Sequence, residues 1–210
     1  MIDTKYTYAV ARIRALETAL FTSATLDQLM ACQTEEQCLQ LIQEKGWGGA
    51  DTPVNAEAIL TREQEKIWEN IRDLGVDMSV FDVLSYPNMF HNLKAAIKDV
   101  CTEENGKSMN IYYDDTAILP DEMLEIVRSK DFSRLPKYMA GAAKEAYETL
   151  LHTRDGQLCD VIVDKAALEA IYAAGKEAKD SIIKDYAEST VAIADIKIAV
   201  RSQKTAKNLD

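Results

Sequence analysis

The two histidines of the chain are the side chains best suited to proton transfer, because histidine titrates near neutral pH. His91 is followed directly by Asn92. An enzyme site would also need a nucleophile and an orienting acid, and the sequence has no G-x-S-x-G or cysteine-based motif. The sequence therefore favours a role for His91 in helix packing or capping.

The second histidine, His152, follows Glu148 by one helical turn, so the two side chains share a helix face and could share a metal ion. Carboxylate-bridged di-iron bundles require two Glu-x-x-His pairs and two further glutamates. This chain has too few histidines and a different spacing. A surface Glu-His pair is the better interpretation.

Acidic residues near the middle of the chain are the other candidates for metal chemistry. Asp114, Asp115, Asp121 and Glu122 could hold a hard cation such as Mg²⁺. They also fall in a predicted loop and at a predicted helix start, where solvation and the helix dipole favour carboxylates. A small helical metal-dependent enzyme is therefore kept as an alternative. No G-x-x-x-x-G-K-[ST] loop occurs, so we predict no nucleotide site and no cofactor.

The cysteines give no clear metal or disulfide pattern. Cys32, Cys38, Cys101 and Cys159 are widely spaced, and the closest two are separated by five residues of helix-like sequence. Zinc ligands usually occur as tight C-x2-4-C pairs. Buried, reduced thiols are favoured over disulfides or a zinc site.

Composition restricts the elements that can position these side chains. With 47% hydrophobic residues but only 8 Gly and 4 Pro in 210 residues, the chain favours helix over turn-rich sheet, and we predict an all-α fold. A net charge of -11 opposes binding to nucleic acid or anionic lipid. No apolar run approaches the roughly 18 residues of a membrane span, and the start lacks a signal-peptide core. We expect a cytoplasmic protein.

Apolar residues recur at helical spacing along most of the chain and predict a series of amphipathic helices. A first helix is predicted from Thr4 to Phe21, a third after a capping box at Thr34, and a long one ending at Gly75. Asp77 predicts a short helix through Leu84, with another beyond Pro87. Three later apolar stripes are predicted: Met139, Ala143, Ala146 and Leu150; Leu158, Ile162, Leu168 and Tyr172; and, in a final helix from about Lys179 to Gln203, Ile182, Tyr186, Thr190, Ile193 and Val200.

A polar stretch over residues 102–117 is the one break in composition, and it predicts a boundary between helical units 1–105 and 106–210. The block His91–Lys98 aligns with Ala194–Arg201 at an offset of 103 residues, pairing small polar, aliphatic and basic residues. This alignment suggests two related, stacked units. Any two amphipathic helices can align this well, so the duplication stays open.

Five ordered motifs together carry a family resemblance. Residues 8–17 read Y-A-V-A-R-I-R-A-L-E, and residues 90–95 read F-H-N-L-K-A. Leu119-Pro120 before an acidic helix start, Asp164-Lys165-Ala166, and Asp195-Ile196-Lys197 with Arg201 follow in order. In these motifs the chain resembles the C subunit of archaeal and bacterial A/V-type ATPases, a relative of the d subunit of eukaryotic vacuolar ATPases.

The resemblance implies a funnel-like stack of three related helical units, of which this chain would lack the third. It implies a non-catalytic central-stalk protein that couples the rotating stalk to the membrane proteolipid ring, for ATP-driven proton or sodium transport or for ATP synthesis. The partners would be the other stalk subunits and that ring, at the cytoplasmic face of the membrane and without membrane insertion. A generic helical adaptor is the remaining alternative.

The same resemblance marks nine residues as characteristic of the family, with their contacts still to be established. They are Arg12, Arg14, Glu17, His91, Asn92, Lys94, Asp195, Lys197 and Arg201. Among them, Arg14 and Glu17 lie three apart and can pair along the helix, while Arg12 points elsewhere. A solvated helix face is the simpler interpretation of these three charges.

Overall fold

The computed structural model describes residues 6–102 and 111–205, and the regular structure in these ranges is entirely helical. The all-α prediction is confirmed. The helices are α1 (Thr7–Glu17), α2 (Ser23–Met30), α3 (Glu35–Glu44), α4 (Ala56–Asp73), α5 (Asp82–Thr102), α6 (Pro120–Ser129), α7 (Lys137–Thr153), α8 (Gly156–Glu177) and α9 (Ser181–Thr205). Short 3-10 turns span Met78–Phe81 and Phe132–Arg134.

Side-chain caps explain several of the helix starts. The Thr34 hydroxyl accepts a hydrogen bond from the Gln37 backbone N–H at 3.3 Å, as the predicted capping box requires. The Gln37 amide oxygen, however, accepts from the backbone N–H of Gln33 at 2.9 Å, one residue before the cap. Gly46 and Gly75 follow the ends of α3 and α4 with φ of 86° and 66°, which is the left-handed conformation of many helix ends, and the predicted end of the long helix at Gly75 is confirmed.

The prediction of two helices around Pro87 is wrong, because a single helix, α5, runs through this residue. Proline has no N–H, so the hydrogen bond to the carbonyl of Val83 is missing. Val83 on one side of Pro87 and Met89 and Phe90 on the other are all buried. Burial on both sides of the proline outweighs the loss of one backbone hydrogen bond and keeps the helix continuous.

The chain divides into two compact units, residues 1–78 and 79–210. The predicted boundary between residues 105 and 106 lies outside the described residues and stays a prediction. Both blocks of the suggested repeat fall in the second unit, on α5 and α9.

The second unit is built around α5, which packs against α6, α7 and α8, while α8 also packs against α7 and α9. The predicted stripe of α7 is confirmed, since all four of its members are buried. The fully buried side chains of this core include Phe90, Leu93, Ile97, Met123, Ile126 and Met139. The interior is therefore a continuous helix-packed core.

The predicted stripes of α8 and α9 are confirmed only in part, because Ile162 and Tyr186 pack against the apolar clusters but the buried faces are centred on other residues. Leu158 and Tyr172 are 42% and 41% exposed, and the buried face of α8 lies one residue further along and consists largely of small side chains: Cys159, Val163, Ala167, Ala170, Ile171 and Gly175. In α9, Ile183 and Ala187 are buried while Ile182 is 73% exposed. Small residues allow close helix contact, which periodicity of large apolar residues does not reveal.

The first unit buries much less of its apolar surface. Among its described residues, Leu39 and Ile59 are the buried apolar side chains, and α1 has none. The rings of Phe21 and Trp47 stack with centroids 4.4 Å apart, so Trp47 serves in packing. Apolar side chains of α1 and α4 stay largely open, with Val10 at 57% and Ile67 at 58% exposure.

Candidate interaction sites

Asn92 lies at the centre of a family motif that is largely buried in α5. Its side-chain N–H donors reach the Tyr113 carbonyl at 2.8 Å and the Thr116 hydroxyl at 3.2 Å, and its amide oxygen accepts from the Tyr113 backbone N–H at 2.9 Å. The Thr116 hydroxyl in turn donates to the Ile118 carbonyl at 2.7 Å. The buried amide is thus fully paired and fixes residues 111–118 against α5.

His91 binds the same segment from its more exposed side. Its Nε2 lies 3.0 Å from the Ile111 carbonyl oxygen, and its ring meets the Tyr113 ring edge-on at 5.0 Å. These contacts match the packing role favoured from the sequence. Asp99 strengthens the attachment by accepting a hydrogen bond from the Tyr112 hydroxyl at 2.6 Å.

Two lysines of α5 join this helix to α8. Lys94 Nζ lies 2.6 Å from an oxygen of Asp164, which belongs to another of the family motifs. Lys98 Nζ lies 2.7 Å from Asp160, one helical turn away. The structure therefore brings two separate motifs into one ion pair, at positions where both helices also contribute to the core.

The three charged motif residues of α1 form two separate groups. Arg14 pairs with Glu17 at 2.8 Å, as their spacing predicts. Arg12 instead reaches α4, where its Nη2 donates to Asn70 at 3.2 Å and lies 3.7 Å from Asp73. Arg12 thus ties α1 to α4, whereas the Arg14-Glu17 pair remains on the exposed surface.

The C-terminal part of α9 carries the last motif. Asp195, Lys197 and Arg201 are exposed there, together with the apolar side chains of Ile193, Ile196, Ile198 and Val200, which are 46 to 63% exposed. This part of α9 is therefore an exposed surface of mixed apolar and charged character.

Three of the four acidic residues considered for metal binding have ordinary structural roles, and the fourth, Asp114, is exposed. Asp115 accepts from the Asn88 side chain at 3.0 Å, and Glu122 pairs with Arg134 at 3.2 Å. Asp121 and Glu122 occupy the first turn of α6. Within residues 6–102 and 111–205, no group of three His, Cys, Asp or Glu side chains is placed to hold a metal.

The remaining candidates for chemistry are likewise engaged or unreactive. His152 Nδ1 lies 2.6 Å from the backbone carbonyl of Glu148, so the ring contacts the main chain of this residue. Burial raises the pKa of Cys159 to about 11, with a smaller contribution from Asp160. The thiol therefore stays protonated at neutral pH and is a poor nucleophile.

Two structural residues of the second unit were missed by sequence reasoning. Thr116 completes the Asn92 network, yet it sits in a polar stretch with no periodic signal. Gly175 lies in α8 against Ala187 of α9, where an added Cβ would overlap the Ala187 side chain. A glycine inside an otherwise strong helical pattern was the available signal for this close contact.

In the described part of the chain, no helix is both long and apolar enough to cross a membrane. The fold and these surfaces define an all-α protein made of two helical units. Comparison with known families matches residues 9–210 to the ATP synthase (C/AC39) subunit family, and the chain belongs to this family. It is therefore a subunit of a V/A-type rotary ATPase, in a family of accessory subunits. Comparisons with curated proteins and with solved structures gave no match.

Proposed function

We propose that this protein couples the rotating central stalk of the ATPase to its membrane proteolipid ring and carries out no bond chemistry itself. Torque from ATP hydrolysis, or from proton or sodium flow in the reverse direction, would pass through the helical body. The protein would act at the cytoplasmic face of the membrane. Family membership is the single observation that carries this proposal.

The distribution of exposed apolar side chains supports a role in protein contacts. In α1, Tyr8 and Val10 are 59% and 57% exposed, and in α9, Ile196 is 63% exposed. Apolar surface beside Arg14, Glu17 and Lys197 is the composition expected of protein interfaces. We assign Arg14 and Glu17 of α1 and the motif residues of α9 to such contacts, and Arg12 and the motif residues of α5 to internal support.

The close packing of the second unit also supports a role in torque transfer. Its helices are joined by a dense core and by the ion pairs from Lys94 and Lys98 to α8. Closely packed interiors have low compressibility and transmit strain. A load applied to this unit would therefore move its helices together.

A bridging assay tests the proposal directly. Purified central-stalk subunits of the source organism are immobilised, and detergent-solubilised proteolipid ring is added with or without this protein. We expect ring to be retained only when the protein is present, because a coupler must hold both partners at once. The coupling role would be contradicted if neither the protein nor the ring is retained. It would also be contradicted if the protein binds the stalk without recruiting the ring.

A matched pair of variants makes the assay specific. Ile196→Asp places a charge in the exposed surface of α9, and Val161→Asp places one on α8 at a similar exposure, 56% against 63%. Charging an interface centre typically weakens binding roughly tenfold or more. We expect that loss for Ile196→Asp alone, and equal binding by both variants would remove α9 from the interface.

A further inference from the structure

The two cysteines of the first unit lie side by side where α2 leads into α3. Cys32 comes two residues after the end of α2, and Cys38 is the fourth residue of α3. The Leu29 carbonyl oxygen accepts from the Cys32 backbone N–H at 3.2 Å and lies 3.7 Å from Cys38 Sγ. One oxygen atom therefore touches the backbone of one cysteine and the sulfur of the other.

The two sulfurs also lie against consecutive carbonyls. Cys32 Sγ donates to the carbonyl of Gln28 at 3.4 Å, and Gln28 directly precedes Leu29, the partner of the Cys38 sulfur. Burial raises the pKa of the Cys32 thiol, and the nearby Cys38 thiol raises it further. Two thiols held against consecutive carbonyls and near each other are placed to join.

Access distinguishes this pair from the other two cysteines. Cys32 and Cys38 are both half-buried, so small molecules can reach them. Cys101 and Cys159 are close enough to interact electrostatically, but Cys159 is fully buried and Cys101 packs against the core of the second unit. Both thiols are therefore accessible to solvent in the Cys32-Cys38 pair, but not in the Cys101-Cys159 pair.

We propose that Cys32 and Cys38 form a reversible disulfide by exchange with small-molecule disulfides. One thiol loses its proton and attacks the small disulfide, giving a mixed disulfide and releasing one small thiol. The second cysteine then attacks the mixed disulfide, and a second small thiol leaves. In total, two cysteine thiols are oxidised to one S–S bond, and one small disulfide is reduced to two thiols.

The expected consequence is a covalent tie between the end of α2 and the start of α3. Both helices belong to the unit that buries few apolar side chains, so the tie would restrict local opening there. Disulfides in reducing compartments are usually transient and redox-sensing. The pair would accordingly stay reduced under ordinary conditions and close when the surrounding disulfide level rises.

The experiment is an equilibrium titration of the whole protein with oxidised and reduced glutathione, quenched by alkylation. Trypsin leaves both cysteines on one peptide, residues 15–45, which should lose two hydrogens on oxidation. A glutamate-specific protease cuts between the cysteines, after Glu35 and Glu36, so only a disulfide keeps the two fragments together. We expect the equilibrium constant to be at least roughly tenfold larger for the folded protein than for the chain in urea.

Three single variants control the measurement. Cys32→Ser and Cys38→Ser should each stop at a mixed disulfide with glutathione, while Cys101→Ser should close the link as the unchanged protein does. An equilibrium constant in the folded protein no larger than that in urea would overturn the proposal. So would a folded protein that accumulates mixed disulfides only.

Discussion

The two units of this protein differ in how far they bury the apolar faces of their helices. In residues 79–210, the apolar faces of α5 and α7 are buried, with Leu93, Ile97 and Met139 at 0% exposure. In residues 1–78, α1 has a comparable apolar spacing but buries none of its side chains. Amphipathic spacing therefore identifies the apolar face of a helix without determining whether this chain covers it.

The difference suggests a division of labour. A unit with a large internal core can hold its shape alone, whereas a unit whose apolar faces stay open gains stability when a partner covers them. The C-terminal part of α9 also leaves apolar surface open, although it belongs to the second unit. Ile196 and Ile198 are exposed there, whereas Ile183 and Ala187 near the start of the helix are buried. The single helix α9 therefore has a buried apolar part and an exposed apolar part.

The largest predicted contrast comes from truncating one leucine in each unit. Leu93→Ala removes a fully buried side chain from the core and should lower the free energy of unfolding of the second unit by about 2–5 kcal/mol. Leu16 of α1 is 39% exposed, so Leu16→Ala should cost less than about 1 kcal/mol.

Two probes can follow the units separately. Both tryptophans, Trp47 and Trp68, belong to the first unit, so denaturant unfolding by fluorescence reports on it. Amide hydrogen exchange of α5 and α7 reports on the second unit. Equal losses for the two variants, each seen by its own probe, would remove the contrast between the units.

The next effect concerns the buried amide. Asn92→Ala leaves the Tyr113 N–H without its partner and removes one of the two donors to the Tyr113 carbonyl, so it should destabilise the second unit by about 1–3 kcal/mol. Asn88→Ala is the matched control, because Asn88 also joins α5 to this segment, through Asp115, at an exposed position. Hydrogen exchange over residues 111–118 should accelerate strongly in the first variant and little in the second. Similar acceleration in both would mean that Asn92 is not the main attachment.

The sequence predicts the helices of this protein well because capping residues and left-handed glycines act locally. Thr34, Gly46 and Gly75 mark helix ends through their own backbone and side-chain chemistry. The buried face of α8 depends on which neighbours approach, and small residues such as Ala167 and Ala170 define it without large apolar spacing. Burial is a tertiary property, so the leucine and tyrosine positions misled the prediction.

The candidate sites divide in the same way. The Arg14-Glu17 pair follows from spacing on one helix and was predictable. The Lys94-Asp164 pair joins residues 70 positions apart and required the structure. A family motif can therefore draw attention to two residues before the structure shows the contact between them.

An effect of similar size tests how tightly the second unit is packed. Gly175→Ala would press a methyl group against Ala187 and should cost about 1–3 kcal/mol as α8 and α9 separate. Gly141→Ala on α7 meets no atom within 4 Å and should instead stabilise the helix by about 0.5–1 kcal/mol. Thermal unfolding followed by circular dichroism should shift in opposite directions. A Gly175→Ala protein as stable as Gly141→Ala would show that α9 moves aside without cost.

The smallest expected effect on stability comes from removing an exposed ion pair, and it distinguishes residues needed for folding from residues needed for binding. Arg14→Ala breaks an exposed ion pair within α1, and Lys94→Ala breaks one between α5 and α8. Exposed pairs contribute at most about 1 kcal/mol, so fluorescence-detected unfolding should barely change for Arg14→Ala. If α1 is an interface with the stalk or ring, the same variant should nevertheless weaken the bridging assay severalfold, whereas Lys94→Ala should leave bridging intact. If Arg14→Ala bridges as well as the unchanged protein, the charge of Arg14 serves only to solvate an exposed helix. The comparison between the units would then depend on apolar exposure alone.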